Sequence, residues 1–197
     1  MKVLVIGSGA REHALIWKLS QSRRVSKLYA LPGNGGTRDL AETVDIDPSD
    51  VVSAADFAEK EGIALTVVGP EQPLSLGITD AFHKRGLKIF GPTQKAAMLE
   101  SSKVFSKEFM RRNSIPTAPF QVFTSAEEAR LYLEGAVYPL VIKADGLAGG
   151  KGVFVCKDKA EALQTVRAVL VEHRFGQAGE KILIEDFLPG TEMSFMV

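Results

Sequence analysis

The chain has 197 residues, of which 45% are hydrophobic and 24% are charged, as is ordinary for a globular protein. Its 24 Lys and Arg residues balance its 24 Asp and Glu residues, and this zero net charge does not indicate a nucleic-acid or anionic-membrane partner. The single cysteine, Cys156, excludes an internal disulfide framework, and its apolar surroundings favour a buried thiol over a nucleophile.

The first predicted element is a short apolar strand over Lys2–Ile6, of the kind that is buried on both faces of a parallel sheet. Because this run stops at Gly7, it is too short for a signal-peptide core or a membrane span, and we expect a cytoplasmic protein. The loop Gly7–His13 leads into a helical pattern with Trp17 on its apolar stripe, where we expect a core residue. Strand, glycine turn and helix are how nucleotide-binding α/β domains begin.

The dinucleotide-binding fingerprint is nevertheless incomplete in this first turn. Glu12 stands where its third glycine would be. The second predicted strand, Lys27–Ala30, is followed by Leu31–Gly36, which contains no acidic residue to hold a ribose. The pattern therefore disfavours NAD, although a nicotinamide-dependent oxidoreductase domain stays open as an alternative.

Strands and helices continue to alternate as far as residue 93. The patterns predict a helix over Ser49–Glu61, a strand over Ile63–Val68, a helix over Ile78–Arg85 and a strand over Leu87–Phe90. This alternation indicates an α/β, Rossmann-like domain with a parallel sheet, in which the carboxyl ends of the strands lie along one edge and bind ligands. We therefore expect the loops Gly7–His13, Gly33–Gly36 and Gly69–Leu74 to face one crevice.

A long helix is predicted over Thr93–Asn113, on which Lys103 and Lys107 share a face. The pattern alone favours a solvated face for such a pair. The segment Asn113–Pro119 breaks this helix and is the strongest candidate for a domain junction. Beyond it, the patterns predict a strand over Phe120–Phe123, helices over Ser125–Leu133 and Lys159–Glu172, and a strand over Lys181–Phe187.

A glycine-rich loop joins two further apolar runs. Tyr138–Ile142 ends in Lys143, the glycines follow, and a β-type run begins at Val153. Four glycines in seven positions let several backbone N–H groups point inward, and the ammonium groups of Lys143 and Lys151 suit a polyphosphate. A Walker A loop is excluded because Gly152 follows the second lysine and a strand, not a helix, comes next. The pattern favours a mobile flap over nucleotide phosphates, and a solvent-exposed hairpin turn is the alternative on composition alone.

The last predicted strand carries a second set of candidate ligand groups. It leads past Glu185 into the turn Leu188–Gly190 and then to Glu192. Free backbone groups after a strand can bind an adenine edge, and a carboxylate can bind two ribose hydroxyls. Read alone, acidic residues around a Pro-Gly turn are more often simply solvated.

Together these segments resemble the ATP-grasp superfamily and, within it, the phosphoribosylamine–glycine ligase family of purine biosynthesis. The matching segments follow in family order from residue 1 to residue 197: MKVLVIGSGAREHAL, PGNGG, VVGPEQPL, FGPT, LESSKVFSK, VIKADGLAGGKGV and IEDFLPGTEMSF. The resemblance implies an N-terminal pre-ATP-grasp domain over 1–100. It also implies the first, α+β part of an ATP-grasp domain over 101–197, with a flap-bearing subdomain at about 118–190.

The family reaction implies particular site residues. ATP activates glycine to glycyl phosphate, and the amine of 5-phosphoribosylamine attacks it to give glycinamide ribonucleotide, ADP and phosphate. The implied catalytic positions are Lys143 and Lys151. The implied ATP positions are Lys103, Lys143, Gly146, Gly149, Gly150, Lys151, Gly152, Glu185, Asp186, Leu188 and Glu192. The implied positions on the phosphoribosylamine side are Gly7, Gly9, Arg11, Gly33, Asn34, Gly35 and Glu71.

The resemblance also implies a protein longer than this chain. Met193–Val197 reads as a buried strand with no turn or partner after it, so we expect a fragment that is inactive by itself. The ligands of Mg²⁺ or Mn²⁺ are expected beyond Val197. The expected partners are glycine and 5-phosphoribosylamine, without nucleic acid or membrane, and nothing indicates the oligomeric state. A non-catalytic nucleotide-binding or regulatory module is the second open alternative.

Overall fold

The structure, a computed structural model, describes residues 1–195, apart from the side chain of Gln177. The chain divides into two compact units, Met1–Ser101 and Ser102–Val197. Each unit has its own sheet and its own hydrophobic core. No helix within residues 1–195 is long and apolar enough to cross a membrane.

The first unit alternates strands with helices. Its strands are β1 (Lys2–Gly7), β2 (Lys27–Pro32), β3 (Glu42–Thr43), β4 (Leu65–Val68) and β5 (Ile89–Phe90). Its helices are α1 (Ala10–Ser20), α2 (Val51–Lys60), α3 (Glu71–Ser75), α4 (Ile78–Lys84) and α5 (Gln94–Ser101), with a 3₁₀ turn over Gly35–Thr37. All strand pairs are parallel, in the order β3-β2-β1-β4-β5.

The central strand explains why this sheet is covered on both faces. Leu4 and Ile6 of β1 pack in one core with residues of α2 and α4, whereas Val5 packs in another with Ile16 of α1. Successive residues of a strand point to opposite faces, so a continuously apolar strand needs helices on both sides. Burying each such side chain is worth about 1.5–3 kcal/mol. The predicted α/β class with a Rossmann-like parallel sheet is confirmed.

The second unit is built on an antiparallel sheet. Its strands are β6 (Phe120–Phe123), β7 (Leu140–Ala144), β8 (Val153–Cys156) and β9 (Ile182–Asp186), in the order β6-β9-β7-β8. Its helices are α6 (Lys103–Arg112), α7 (Ala126–Leu133) and α8 (Lys159–Val166), and α8 continues as a π-helical turn over Arg167–Val171. A 3₁₀ turn covers Gly176–Gly179.

The two faces of this second sheet differ in chemistry. Ile142, Ile184 and Cys156 pack in one core with α7 and α8. Because side chains alternate along a strand, the neighbouring residues Lys143 and Glu185 lie on the other face. The sheet therefore presents charged groups on the face opposite α7 and α8.

The predicted helix over Thr93–Asn113 is wrong as a single element. It is two helices, α5 and α6, separated at Ser102. Ser102 has extended backbone (φ −131°, ψ 113°), and its Oγ accepts a hydrogen bond from the Phe105 N–H at 3.1 Å. This is N-cap geometry, which starts a new helix. The segment Asn113–Pro119 lies inside the second unit, so the junction expected there is wrong as well.

Three smaller expectations also differ from the structure. The segment Gly69–Leu74 is not all loop, because α3 begins at Glu71. Trp17 is 54% exposed, and its neighbour Ile16 is buried in its place. The buried strand expected over Met193–Val197 is not formed by residues 193–195, which are exposed and pair with no described strand. Residues 196–197 lie outside the described part.

Candidate functional site

In the first unit, the three predicted loops contact one another at the carboxyl ends of the strands. The Asn34 Nδ2 donates to the Ser8 carbonyl at 2.9 Å and lies 3.4 Å from the Gly9 carbonyl. The Asn34 Oδ1 accepts from the Gly36 N–H at 2.8 Å, which closes its own loop. Gly33 has a φ of +71°, and a Cβ there would lie 2.6 Å from the Thr37 Oγ1. These contacts hold the first and second predicted loops together at this edge of the sheet.

Glu12 explains the departure from the dinucleotide fingerprint. Its side chain is buried, and its carboxylate accepts from the Gly9 N–H at 2.7 Å and from the Arg11 Nε at 3.0 Å. A Cβ on Gly7 or Gly69 would approach the Glu12 side chain to 2.6 Å or 2.0 Å. The carboxylate thus occupies the helix N-terminus where a dinucleotide would place its pyrophosphate. This negative charge argues physically against the NAD alternative.

Arg11, in the first turn of α1, contacts Glu71, the first residue of α3. Its Nη1 lies 3.2 Å from the Glu71 Oε1. Hydrogen bonds to Glu12 and then to Glu71 raise the pKa of Arg11. The pKa of Glu71 is lowered, first by its own backbone N–H at the start of α3 and also by Arg11. Both groups are thus held charged, and both stay partly exposed to solvent.

In the second unit, a buried carboxylate lies between two lysines. The Glu185 Oε2 is 2.6 Å from the Lys107 Nζ, and its Oε1 forms an ion pair with Lys143. The Glu185 side chain is only 6% exposed, whereas Lys107 is 12% and Lys143 is 26% exposed. The strand register places Glu185 opposite Val141, so Lys143 meets it diagonally across β7 and β9.

Lys107 corrects the expectation of a solvated lysine face on α6. Besides the ion pair, its Nζ donates to the Thr117 Oγ1 at 2.6 Å and to the Ala118 carbonyl at 3.4 Å. The contact with the Glu185 Oε2 is charge–charge, because that oxygen accepts no directed hydrogen bond within the described residues. Sequence reasoning missed this role because the carboxylate partner is distant in the chain and the only local signal was the four-residue spacing from Lys103.

The base of the glycine loop is attached to the start of α6. The Ser102 Oγ and the Val104 N–H donate to the Asp145 Oδ1 at 3.0 and 3.1 Å. The Lys103 Nζ donates to the Gly146 carbonyl at 2.8 Å. Asp145 thus sits at a helix N-terminus, where its negative charge is favourable. These contacts place Lys103 beside the glycine loop, whereas Ser102 and Asp145 were not anticipated.

Several positions in this loop require glycine, either for their backbone conformation or because a Cβ would be too close to a neighbour. Gly146, Gly149 and Gly150 have φ values of +83°, +57° and +77°, which side-chain-bearing residues rarely adopt. A Cβ on Gly152 would lie 2.7 Å from the Ala148 Cβ. Open space surrounds Gly149 and Gly150, and Lys151 is exposed. The loop therefore has room to move while its base is held.

The remaining predicted ATP residues lie at the opposite end of β9. Asp186 pairs in register with Leu140, at the start of β7, whereas the glycine loop follows the end of β7. The Asp186 N–H donates to the Pro119 carbonyl at 3.1 Å. Leu188 and Glu192 are both exposed after the strand. The structure brings together Lys103, Lys143, Glu185 and the glycine loop, but not Glu192.

No group of three or more His, Cys, Asp or Glu side chains within residues 1–195 could hold a metal ion. Glu12, Glu71, Asp145 and Glu185 are engaged with lysines, arginine or backbone N–H groups. None of these four carboxylates therefore fits a protein-held divalent cation.

Comparison with known proteins identifies the family. Residues 1–100 match the family described as "Phosphoribosylglycinamide synthetase, N domain". Residues 101–197 match its "ATP-grasp (A) domain". The chain belongs to the phosphoribosylglycinamide synthetase family. The resemblance noted from the sequence is thereby confirmed.

Comparison with individual members of the phosphoribosylglycinamide synthetase family supports this assignment. The chain is 52% identical over its whole length to a phosphoribosylamine–glycine ligase of Ralstonia nicotianae and covers 47% of that protein. It is 53% identical to the Pseudomonas putida ligase and covers 46% of it. It thus spans about half the length of these curated relatives.

Solved structures support the fold. The crystal structure of the Thermotoga maritima phosphoribosylamine–glycine ligase has a TM-score of 0.77 at 29% identity, and the match covers 97% of this chain and 45% of that one. A biotin carboxylase domain of Hydrogenobacter thermophilus, solved with MgADP, has a TM-score of 0.76 at 22% identity over 95% of this chain and 44% of that one. The second likeness shows the fold alone.

Proposed function

We propose that the complete protein carrying this chain ligates glycine to 5-phosphoribosylamine at the expense of ATP. The reaction passes through glycyl phosphate and yields glycinamide ribonucleotide, ADP and phosphate. The observation that carries this proposal is the match of residues 1–100 and 101–197 to consecutive domains of one synthetase family. Relatives more than half identical to the chain bear the name phosphoribosylamine–glycine ligase.

The second unit is proposed to bind the nucleotide along β9. Adenine and ribose would lie near Glu185, Asp186, Leu188 and Glu192, and the phosphates would lie near Lys143 and the glycine loop. Four residue steps of an antiparallel strand span about 13 Å, which is comparable to an extended nucleoside triphosphate. This spacing supports placing adenine and ribose at the Asp186 end of β9 and the phosphates at the glycine-loop end, with the Glu185–Lys143 ion pair between them.

Phosphoryl transfer mainly requires that the reacting groups are positioned and that the negative charge on the phosphates is neutralised. Transfer of the terminal phosphoryl group to the glycine carboxylate develops negative charge on oxygens, which backbone N–H groups of the loop and the ammonium groups of Lys103, Lys143 and Lys151 would stabilise. Closure of the loop would keep water from the acyl phosphate until the amine attacks it.

A divalent cation, Mg²⁺ or Mn²⁺, would neutralise phosphate charge when bound with ATP. No group of three or more His, Cys, Asp or Glu side chains that could hold it lies within the described residues, so none of them is assigned to it. Reaction steps are assigned only to the lysines and the loop.

The first unit is proposed to bind 5-phosphoribosylamine at its crevice. The implied residues are Gly7, Gly9, Arg11, Gly33, Asn34, Gly35 and Glu71. A guanidinium suits phosphate, and carboxylate or amide oxygens suit ribose hydroxyls. The contacts among Arg11, Asn34 and their neighbouring loops support this assignment.

We further propose two domains over 1–100 and 101–197, with a flap-bearing subdomain at about 118–190, in a cytoplasmic enzyme. The family match supports the two ranges. A purine-biosynthetic reaction that consumes ATP and glycine supports the location.

The test is a coupled assay on the complete gene product. ADP release that requires both glycine and 5-phosphoribosylamine is expected, together with glycinamide ribonucleotide detected by mass spectrometry. Reactions lacking one substrate serve as controls. Tight binding of NAD without binding of ATP would favour the oxidoreductase alternative, and ATP binding without turnover would favour a non-catalytic module.

A further inference from the structure

One buried carboxylate and two ammonium groups leave an excess positive charge on the face of the second sheet. Glu185 is nine-tenths buried, and each of its oxygens faces a different lysine. A buried carboxylate needs at least one counter-ion, because an uncompensated charge in the interior is strongly destabilising. A second counter-ion is therefore available for another partner.

The two lysines are held very differently. Lys107 is 12% exposed, and Thr117 and the Ala118 carbonyl also bind its ammonium group. Its Nζ also lies 5.6 Å from the centre of the Phe120 ring. Lys143 is 26% exposed, and among the described residues its polar contact is the ion pair with Glu185. Lys107 is thus the anchored cation, and Lys143 is the one that can turn away.

We propose that Lys107 is a positioning residue that keeps Glu185 compensated, so that Lys143 can leave the carboxylate and bind nucleotide phosphate. This inference rests on the proposed function, in which Lys143 meets the phosphates of ATP. Without Lys107, Lys143 is the one counter-ion left to Glu185 among the described residues. Phosphate then competes with a buried carboxylate for the same ammonium group.

The test compares ATP with adenosine, which lacks the phosphates. Calorimetric titration of the complete gene product gives the dissociation constants of both ligands. The ratio of the adenosine constant to the ATP constant reports phosphate binding alone. Lys107→Met is expected to reduce this ratio about 10- to 100-fold, the loss of one charge-assisted hydrogen bond. Lys107→Arg, which keeps the charge, should stay close to the wild type. Arg112→Met, which removes an exposed cation from the same helix, is the matched control.

Two double variants separate positioning from a merely structural role. Adding Lys107→Met to Lys143→Met should change the ratio no further, because Lys107 acts through Lys143. Adding Glu185→Gln to Lys107→Met should restore the ratio, because a neutral amide does not retain Lys143. The second variant also removes the uncompensated carboxylate, so it folds even where Lys107→Met does not.

Each outcome has one meaning. Any one of three results overturns the inference. Lys107→Met weakens the binding of ATP and of adenosine equally, the effects of Lys107→Met and Lys143→Met on the ratio multiply, or Glu185→Gln does not restore the ratio. A wild-type protein that fails to bind ATP overturns the proposed function instead. The two failures are therefore distinct.

Discussion

Lys143 is the residue on which the proposed phosphate binding depends most directly. It is the penultimate residue of β7, close to the glycine loop, and it shares Glu185 with Lys107. Loss of the Lys143 side chain leaves Glu185 with a counter-ion, so the fold should survive the change. The effect of such a variant therefore reports on the ligand.

Lys143→Ala in the complete gene product should remove a charge-assisted phosphate contact worth about 1.5–3 kcal/mol. Steady-state kinetics with ATP as the varied substrate measure this as a loss in kcat/KM of about 10- to 100-fold. Lys157→Ala, at an exposed lysine after β8, is the control and should leave the kinetics unchanged. An unaltered KM and kcat for Lys143→Ala would eliminate the phosphate role.

Cys156, unlike Lys143, has no proposed role in ligand binding, and burial keeps its thiol unreactive. Its side chain is fully buried in the core under α7 and α8. Burial raises the pKa of the thiol, and the hydroxyl of Thr165, 3.6 Å away, opposes this only in part. A raised pKa means less thiolate at any given pH, and the thiolate is the nucleophile.

Iodoacetamide should therefore modify Cys156 slowly in the folded protein near pH 8 and rapidly in urea. Mass spectrometry of the intact protein measures both rates over a pH series. The folded rate should rise only at higher pH than the unfolded rate, because the folded thiol ionises later. Equal rates in the two states would contradict the burial.

At the scale of elements, Ser102 is where helix α6 meets the glycine loop. Its Oγ accepts from the Phe105 N–H and donates to the Asp145 carboxylate. One side chain thus starts a helix and holds the base of the loop. Ser125 caps α7 by accepting from the Glu128 N–H and donates to no carboxylate within the described residues, so it offers a matched comparison.

Ser102→Ala should lower the opening free energy of the first turn of α6 by about 2 kcal/mol. Loss of the cap accounts for about 1 kcal/mol, and loss of a hydrogen bond to a charged group accounts for the rest. Ser125→Ala should cost α7 only about 1 kcal/mol. Native-state hydrogen exchange at the Ser106 and Ala129 amides, which donate to the Ser102 and Ser125 carbonyls, measures both, and equal losses would contradict the double role of Ser102.

At the scale of the whole molecule, the chain covers 46–47% of its curated relatives. The residues described here include no group of three or more His, Cys, Asp or Glu side chains that could hold a metal ion. Ligation activity is therefore proposed only for the complete gene product.

We expect the 197 residues alone to show no synthetase activity and at most weak nucleotide affinity. Glycine-dependent ADP release from the purified chain measures this, with the complete gene product assayed in parallel. Measurable turnover by the 197 residues would show that ligation needs nothing further.

The amino-acid sequence alone was enough to predict the class of fold, because that prediction depends on patterns within short stretches of the chain. The continuously apolar run Lys2–Ile6 predicts a strand covered on both faces, and the glycines between Gly146 and Gly152 predict a loop between two strands. The ordered motifs also sufficed for the family, since each lies in a short stretch of chain.

Only the tertiary structure revealed which charges meet. Lys107 looked solvated on its helix, yet it is buried against Glu185, and Glu12 looked like a missing glycine, yet its carboxylate caps α1. Ser102 looked like the interior of one helix, yet it begins another. Electrostatic partners distant in the chain leave no periodic signal, because their distance depends on strand register and helix packing.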